Sequence, residues 1–361
     1  MKRYYFIVGE ASGDLHAANL IKELSLLETD ATFQGFGGER MQKEGLELTK
    51  HYQEMAFMGF WEVLINLSAI IKNFKQAKKE LLEYKPEVLI LVDYPGFNMR
   101  MAKFAKKHNI KVVYYITPQV WAWKESRVKK LKRDVDLLLP ILPFERSFFA
   151  KHGIDVNYVG HPLLDAFKDL DSRNIESEKP IIAILPGSRK QEIATSLPIM
   201  MEVAKSFENY QFVIAGAPSI SQDFYRNITK DSYMPVLSNQ THALLKECKA
   251  AIVTSGTATL EAAILKVPQV VCYKTSSISY FLAKLVVKVK YIALVNLICD
   301  KEVVKELIQD DFNTDNLLNE LNRILNKKNK TQILSDYDSL IRFLGGVGAS
   351  KRAADAINSL H

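Results

Sequence analysis

The chain has 361 residues, 48% of them hydrophobic and 25% charged, a composition typical of a soluble globular protein with room for two domains. Its net charge of +7 favours an anionic substrate or an anionic membrane surface, and it carries none of the motifs typical of nucleic-acid binding. The widely spaced Cys248, Cys272 and Cys299 form no metal-binding or disulfide pattern, which favours a reducing cytoplasm.

Short apolar runs alternate with helical segments from one end of the chain to the other. We predict strands at residues 4–8, 88–92, 112–116 and 135–139 in the first half, and at 181–185, 212–215, 250–254 and 269–272 in the second. These runs are apolar throughout rather than alternating, which indicates parallel strands buried on both faces of a sheet. The first run is too short for a signal peptide. The sequence therefore predicts an α/β protein made of two Rossmann-like, doubly wound domains.

A polar stretch without periodicity, residues 168–180, is the best candidate for a linker between the domains. We therefore predict an N-terminal domain at residues 1–167 and a C-terminal domain at residues 168–332. The helical tail at residues 333–361 has no strand of its own, and we expect it to pack back on the N-terminal domain.

Polar loops follow two strands of the first half, at the edge where parallel sheets bind ligands. The loop GEASGD brings Glu10, Ser12 and Asp14 to the start of a helix. The loop DYPGFN places Asp93 directly after its strand, with Asn98 one turn further on. We predict that these residues bind substrate, while helix capping is the structural alternative.

Two loops of the second half are suited to anions. The loop PGSRKQE places Ser188 and Arg189 at a helix start, where unpaired N–H groups and the helix dipole attract negative charge. A surface position is the alternative for this arginine.

The second of these loops, in TSGTATLEAAIL, begins another helix with Ser255, Gly256 and Thr257, and Thr259 follows in the first turn. Glu261, one turn inside, is placed to accept hydrogen bonds from sugar hydroxyls, as acidic residues of dinucleotide folds do for ribose. An ordinary cap with a solvated glutamate is the alternative.

Two segments are more apolar than a helix that only covers a sheet. Residues 57–71 are apolar nearly all round and are followed by lysines within 72–79, and residues 278–298 are almost as apolar. The first is too short to span a bilayer, so the alternatives are a sheet-covering helix and a surface that rests on anionic lipid.

Nine motifs occur in one order, and together they resemble the lipid-A-disaccharide synthase family of inverting glycosyltransferases, which have two facing Rossmann-like domains (the GT-B type). NLICDKEVVKELIQ and GASKRAADAI extend the resemblance over nearly the whole chain. The nine motifs are GEASGDLHAANL, GFGGERMQKEG, MGFWEVL, VDYPGFN, TPQVWAWKESRVKKL, LPFE, GHP, LPGSRKQEI and SGTATLEAAI.

The resemblance implies transfer of diacylglucosamine from UDP-2,3-diacylglucosamine to 2,3-diacylglucosamine 1-phosphate, which gives a β-1,6 disaccharide 1-phosphate and UDP. Asp93 and Arg189 match essential residues of the family, and Asn296 matches an asparagine at the donor site. We expect Asp93 to take the proton of the acceptor's 6-hydroxyl, while Arg189 and the turn at 255–257 hold the UDP diphosphate. The resemblance implies no cofactor and no metal.

The chain departs from the family pattern at two places. Members often have Asp-Phe-Asn where this chain has Gly96-Phe97-Asn98, and proline where Val295 stands. The shapes of these two loops are therefore expected to differ.

We expect a cytoplasmic, peripheral protein on the inner face of the inner membrane, with a homodimer left open. Two other functions compete: a UDP-N-acetylglucosamine 2-epimerase, which shares the fold and a UDP site, and a sugar-binding protein without catalysis. Activity on water-soluble UDP-N-acetylglucosamine alone favours the epimerase, and any turnover excludes the binding protein.

Overall fold

The computed structural model of the chain describes residues 2–55, 67–168, 175–230, 234–277, 280, 281, 284 and 289–360. The chain divides into two compact units, and each contains one parallel sheet of six strands. The first unit comprises Met1–Lys168 with Leu344–His361, and the second comprises Asp169–Phe343. The predicted two-domain α/β fold is confirmed.

The sheet of the first unit has the order β3-β2-β1-β4-β5-β6. Its strands are β1 Arg3–Val8, β2 Thr32–Gly37, β3 Leu46–His51, β4 Val88–Val92, β5 Lys111–Tyr115 and β6 Leu137–Leu139. Its helices, up to the domain boundary, are α1 Ala11–Leu27, α2 Glu39–Lys43, α3 Leu67–Tyr84, α4 Pro95–Lys107, α5 Val128–Asp134, α6 Glu145–Lys151 and α7 Leu163–Ala166.

The sheet of the second unit has the order β12-β11-β10-β7-β8-β9. Its strands are β7 Ile181–Leu185, β8 Gln211–Gly216, β9 Val236–Ser238, β10 Cys248–Thr254, β11 Gln269–Tyr273 and β12 Glu306–Ile308. Its helices are α8 Lys190–Ala204, α9 Gln222–Thr229, α10 Thr241–Glu247, α11 Thr257–Ile264, α12 Leu294–Cys299, α13 Thr314–Leu325 and α14 Lys327–Phe343.

The central strands are buried on both faces, as their uninterrupted apolar runs predict. In β1 the side chains of Tyr4 and Phe6 belong to the core on one face of the sheet, while Tyr5 and Ile7 belong to the core on the other. Because β1 and β4 are parallel neighbours, the loops that follow them emerge side by side.

The C-terminal segment returns to the first unit later than predicted. The tail was expected to begin at residue 333, but α14 belongs to the second unit, where the Tyr337 hydroxyl accepts a hydrogen bond from Gln269 Nε2 at 3.2 Å. The returning part contains α15, Ala349–Asn358, whose start is fixed by Asp165, since this carboxylate accepts from the backbone N–H groups of Gly348 and Ser350. The second boundary therefore lies at Leu344, because α14 packs with the helices of the second unit and its buried Tyr337 contacts Gln269 of that unit.

The two apolar segments lie only partly within the described residues. Of residues 57–71, Phe57 to Asn66 fall outside them, and of residues 278–298 only 280, 281, 284 and 289–298 fall inside. No helix in the described part of the chain is both long and apolar enough to cross a membrane.

Candidate active site

Asp93 lies directly after β4 in a strained backbone conformation. Its φ of +44° and the φ of +46° at Tyr94 are both left-handed. Such conformations cost roughly 1–3 kcal/mol each in non-glycine residues and persist only where the surroundings enforce them. The strain turns the chain sharply from β4 into α4, which begins at Pro95.

A set of buried hydrogen bonds enforces this turn. The Asp93 carbonyl oxygen accepts from Asn98 Nδ2 at 2.8 Å and from the Tyr114 hydroxyl at 2.7 Å. Asn98 Nδ2 also donates to the Val92 carbonyl at 3.1 Å, and the Tyr94 hydroxyl donates to the Met55 carbonyl at 2.8 Å. Asn98, which is fully buried, therefore positions Asp93 instead of reaching substrate as the sequence predicted.

The surroundings of the Asp93 carboxyl group raise its pKa and so favour its neutral, protonated form. Burial, followed by the nearby Glu10 carboxylate, raises its pKa from 3.8 to about 7, against an opposing hydrogen bond from the Tyr94 N–H. The Tyr94 ring packs directly over Gly9, where a Cβ would lie 2.4 Å from Cγ of the ring. The result is a carboxyl group whose proton affinity suits a base at neutral pH.

The other predicted residues of the GEASGD loop divide into one exposed and one buried residue. Ser12 is exposed in the first turn of α1, where it is open to a ligand. Asp14 is only 2% exposed, and its two carboxylate oxygens accept from the backbone N–H groups of Arg40 and Met41, each at 3.2 Å. Asp14 is thus placed to hold α2 against α1, and not as the direct substrate ligand that the loop pattern predicted.

In the second unit, Arg189 caps α8 from an exposed position. Gly187 has a φ of +113°, which favours glycine, and this conformation turns the chain from β7 toward the helix. Arg189 Nη1 pairs with Glu192 Oε1 at 2.7 Å, and the Ser188 N–H donates to the same carboxylate at 3.4 Å. The Glu192 carboxylate therefore accepts hydrogen bonds from the two groups that the sequence predicted to bind the diphosphate.

The turn after β10 is also open. Gly256 and Thr257 are exposed at the start of α11, where the first N–H groups have no acceptor within the helix. The turn at 255–257 was expected to offer its backbone N–H groups to the diphosphate. For Ser255 this is corrected, because its N–H donates to the Cys272 carbonyl at 2.9 Å and continues the sheet. Thr259 is buried, and its hydroxyl donates to the Gly256 carbonyl at 2.8 Å, so it supports the turn instead of binding a ligand.

Glu261 has a partner that the sequence analysis did not find. His242 Nε2 lies 3.2 Å from Glu261 Oε2, in a half-buried pair that joins α10 to α11. No signal in the sequence singles out this histidine, because it lies in an unremarkable helix and meets the glutamate only through the fold.

Asn296 is fully buried and its amide is saturated. Nδ2 donates to the Val304 carbonyl and to Glu306 Oε1, while Oδ1 accepts from the N–H groups of Val303 and Val304. Glu306 also accepts from the N–H groups of Ile292 and Ala293, which fixes the chain entering α12. Asn296 thus shapes a loop of the second unit.

Glu145 is a buried carboxyl group that the sequence analysis did not single out, although it lies in the motif LPFE. It is 1% exposed and accepts from the Thr117 hydroxyl and from the N–H groups of Ile141 and Leu142. Burial raises its pKa to about 7, against the opposing effect of these donors. It ties together the loops that follow β5 and β6.

Two Rossmann-like units, each with a six-stranded parallel sheet flanked by helices, define a protein of the GT-B fold class. Solved structures agree with the fold: a glycosyltransferase of kitacinnamycin and a putative UDP-N-acetylglucosamine 2-epimerase from Listeria monocytogenes each align with a TM-score of 0.69 at 13% identity. The first alignment covers 99% of both chains, and the second covers 99% of this chain and 96% of the other.

The family follows from the sequence comparisons. Residues 4–359 match the family described as lipid-A-disaccharide synthetase. The lipid-A-disaccharide synthase of Trichlorobacter lovleyi is 37% identical over 99% of this chain and 97% of its own, and that of Geobacter sulfurreducens is 35% identical over 98% and 96%. The chain therefore belongs to the lipid-A-disaccharide synthetase family, and it is a glycosyltransferase of lipid A biosynthesis, which confirms the predicted family.

Proposed function

We propose that this chain transfers diacylglucosamine from UDP-2,3-diacylglucosamine to the 6-hydroxyl of 2,3-diacylglucosamine 1-phosphate, with Asp93 as the general base. The products are the β-1,6 disaccharide 1-phosphate and UDP. The observation that carries the proposal is the setting of Asp93, a strained and partly buried carboxyl with a pKa near 7, in a chain that belongs to this family.

In this mechanism Asp93 accepts the proton of the acceptor hydroxyl as its oxygen attacks C1 of the donor sugar. The raised pKa makes the carboxylate a stronger base than an ordinary aspartate, while enough of it stays ionised at neutral pH to act. Attack from the face opposite UDP inverts the configuration at C1. Ser12, exposed beside this carboxyl's loop, is assigned to the acceptor, and Glu10 to the tuning of Asp93.

The donor diphosphate is assigned to the second unit. As the bond from C1 to UDP breaks, negative charge grows on the diphosphate, and groups that meet this charge stabilise the transition state. Arg189 and the N–H of Ser188 release Glu192 and bind the diphosphate, together with the N–H groups of Gly256 and Thr257. Backbone N–H groups at a helix start have no acceptor within the helix, so binding the diphosphate there breaks no hydrogen bond of the helix backbone.

The uridine ribose is assigned to Glu261. Its carboxylate accepts hydrogen bonds from the ribose hydroxyls, and His242 holds it at the correct angle. Ser255, Thr259 and Asn296 are assigned to shaping the donor loops.

We further assign a peripheral position on the inner face of the inner membrane, where both lipid substrates are accessible. Leu67 and Ile71, adjacent on one face of α3, are 50% and 47% exposed, and the lysines at 72, 75 and 79 that follow are also exposed. Exposed apolar side chains beside a basic patch suit an anionic bilayer surface. A homodimer stays a prediction.

The test is UDP release by the purified chain in mixed micelles that contain both lipid sugars. Release that requires both substrates, with a disaccharide as the second product, supports the proposal. Conversion of water-soluble UDP-N-acetylglucosamine without an acceptor would instead identify an epimerase, and the absence of turnover on either would contradict both.

A further inference from the structure

The loop after β5 carries an exposed tryptophan covered by two cations. Trp123 is 39% exposed, and Lys124 Nζ and Arg127 Cζ lie 4.5 Å and 4.8 Å from its ring centroid. Such cation–π contacts hold long side chains in defined positions at an otherwise mobile surface.

Buried contacts fix this loop. Glu145 accepts from the Thr117 hydroxyl at 2.9 Å, where the loop begins, and the Trp121 ring packs edge-on against Phe144 at 4.8 Å. Lys124 has a left-handed φ of +56°, and its carbonyl accepts from the Arg127 N–H at 2.9 Å. The two cations are therefore arranged before any ligand arrives.

Among the described residues, neither cation forms an ion pair. The carboxylate of Glu125, which lies between them in the sequence, pairs with His152 Nε2 at 3.0 Å instead. Within the described ranges, no carboxylate lies within 4.0 Å of the charged atoms of Lys124 or Arg127. Two fixed positive charges without a counter-ion are suited to a doubly charged phosphate monoester.

The cation pair belongs to the same sheet edge as Asp93. Strands β4 and β5 are parallel neighbours, and the Tyr114 hydroxyl of β5 donates to the Asp93 carbonyl at 2.7 Å. Arg127 is close enough to Tyr114 to oppose the rise in pKa that burial causes in this phenol. In the acceptor, C1, which carries the phosphate, and C5, which carries the 6-hydroxymethyl group, both bond to the ring oxygen, so the phosphate subsite has to lie close to the base.

We infer that Trp123, Lys124 and Arg127 form the subsite for the phosphate of the acceptor sugar, and that Glu145 is the positioning residue that holds their loop. This inference rests on the proposed function, because it assigns one end of the acceptor whose other end meets Asp93. The cations bind the phosphate by charge-assisted hydrogen bonds and thereby select a sugar 1-phosphate over an uncharged sugar.

The test compares two acceptors: 2,3-diacylglucosamine 1-phosphate and the same sugar without its phosphate, both in mixed micelles with UDP-2,3-diacylglucosamine. For the full-length wild type we expect kcat/KM to favour the phosphorylated acceptor by about 10- to 100-fold, from two charge-assisted contacts. The double variant Lys124→Ala/Arg127→Ala should lose most of this preference at an unchanged KM for the donor. The matched control, Lys129→Ala/Lys130→Ala, removes two exposed lysines of α5 and should keep the preference.

Two further variants separate positioning from folding. Arg127→Lys keeps the charge and should restore part of the preference, while Glu145→Gln should weaken the preference for the phosphorylated acceptor at an unchanged donor KM. Equal losses on both acceptors in the double variant, or a preference that survives it, would overturn the subsite. So would a double variant whose only defect is weaker flotation on phosphatidylglycerol vesicles, since the cations would then serve the lipid surface. Failure of the proposed function is distinct, because the wild type would then release no UDP with either acceptor.

Discussion

The two units have the same sheet topology, but the charged groups at their proposed ligand-binding edges differ in burial. The key group of the first unit is partly buried, whereas that of the second unit is exposed. In the first unit the key group, Asp93, is partly buried, held by hydrogen bonds to its backbone and pushed toward neutrality. In the second unit the Arg189 side chain is 60% exposed, and Gly256 and Thr257 are open to solvent. In the proposed mechanism, the first edge has a base whose pKa is already raised before substrate binds. The second edge has exposed donors that are ordered only when the diphosphate binds.

The chemistry of the two roles accounts for this difference. A carboxylate is a stronger base when its pKa is raised toward the working pH, and burial raises it at a cost in stability. A diphosphate enters and leaves in every turnover, so its site must be accessible and its donors must be released easily. The Arg189–Glu192 pair suits this need, because exposed ion pairs contribute little to stability and exchange partners at low cost.

Replacing Asp93 gives the largest expected effect. Asp93→Asn keeps the shape of the side chain but removes the base, so we expect turnover to fall by roughly 10²- to 10⁴-fold while UDP affinity stays nearly unchanged. Single-turnover rates and calorimetric titration with UDP measure the two quantities. Near-normal turnover in a folded variant would remove Asp93 from this role.

The same variant tests the tuning of Asp93 through stability. The folded-state pKa of about 7 lies above the ordinary 3.8, so the contribution of this group to stability is fully present below 3.8 and is lost as pH rises through about 7. Asp93→Asn should therefore melt at a higher temperature than the wild type at pH 8, and the difference should shrink toward pH 4. A variant less stable than the wild type at pH 8 would show that the ionised Asp93 carboxylate does not destabilise the folded protein.

Arg189→Ala tests the proposed diphosphate site at the exposed edge of the second unit. Loss of a charge-assisted contact to the diphosphate should weaken UDP binding and turnover together, by about 10- to 100-fold. The matched control is Arg226→Ala, since Arg226 is also exposed and pairs with Asp223 at the same helical spacing. Unchanged UDP affinity in Arg189→Ala, or an equal loss in the control, would move Arg189 out of the donor site.

A further prediction concerns the surface near residue 67, where the first unit exposes adjacent apolar side chains. Leu67→Ser/Ile71→Ser should lower flotation on anionic vesicles by roughly tenfold, because two half-exposed apolar side chains no longer enter the lipid. Raising the salt concentration should lower binding further by screening the lysines. The thermal midpoint should barely move.

The control for the membrane variant lies on the same helix. Leu82 is 42% exposed near the far end of α3, and Leu82→Ser should leave flotation unchanged. If Leu82→Ser lowers binding as much as the double variant, or if the wild type does not float at low salt, this face does not meet lipid.

The sequence predicted β1, β4 to β8, β10 and β11, which include the edge strand β6, and it missed β2 and the edge strands β3, β9 and β12. The strands at 88–92 and 181–185 match β4 and β7, because strands buried on both faces require uninterrupted apolar runs. In contrast, β3 contains alternating polar residues, and β9 and β12 have only three residues each. Edge strands bury less surface, so their sequences carry a weaker signal.

Within the candidate site, the sequence predicted which loops lie at the strand ends, but not which of their side chains are buried. Asp93, Arg189 and the turn before α11 lie at the strand ends where parallel sheets bind ligands. Asp14, Asn98 and Asn296 lie in the same motifs but turn inward and satisfy backbone groups. A polar residue in a loop motif serves either purpose, and only the fold around it decides, because buried N–H and C=O groups must find partners.

The smallest expected effect comes from Glu10, whose carboxylate is the second cause of the raised pKa of Asp93 after burial. Glu10→Gln removes the charge at nearly constant shape, so the pKa of Asp93 should fall, while burial keeps it above the ordinary value. Because the base must be deprotonated, kcat/KM rises with pH through this pKa, and the acidic limb of the profile should shift to lower pH in the variant. Glu44→Gln, at an exposed position of the same unit, is the control and should leave the limb in place. An acidic limb that stays in place in Glu10→Gln, or moves to higher pH, would mean that burial alone tunes Asp93 and that Glu10 has another task in the loop after β1.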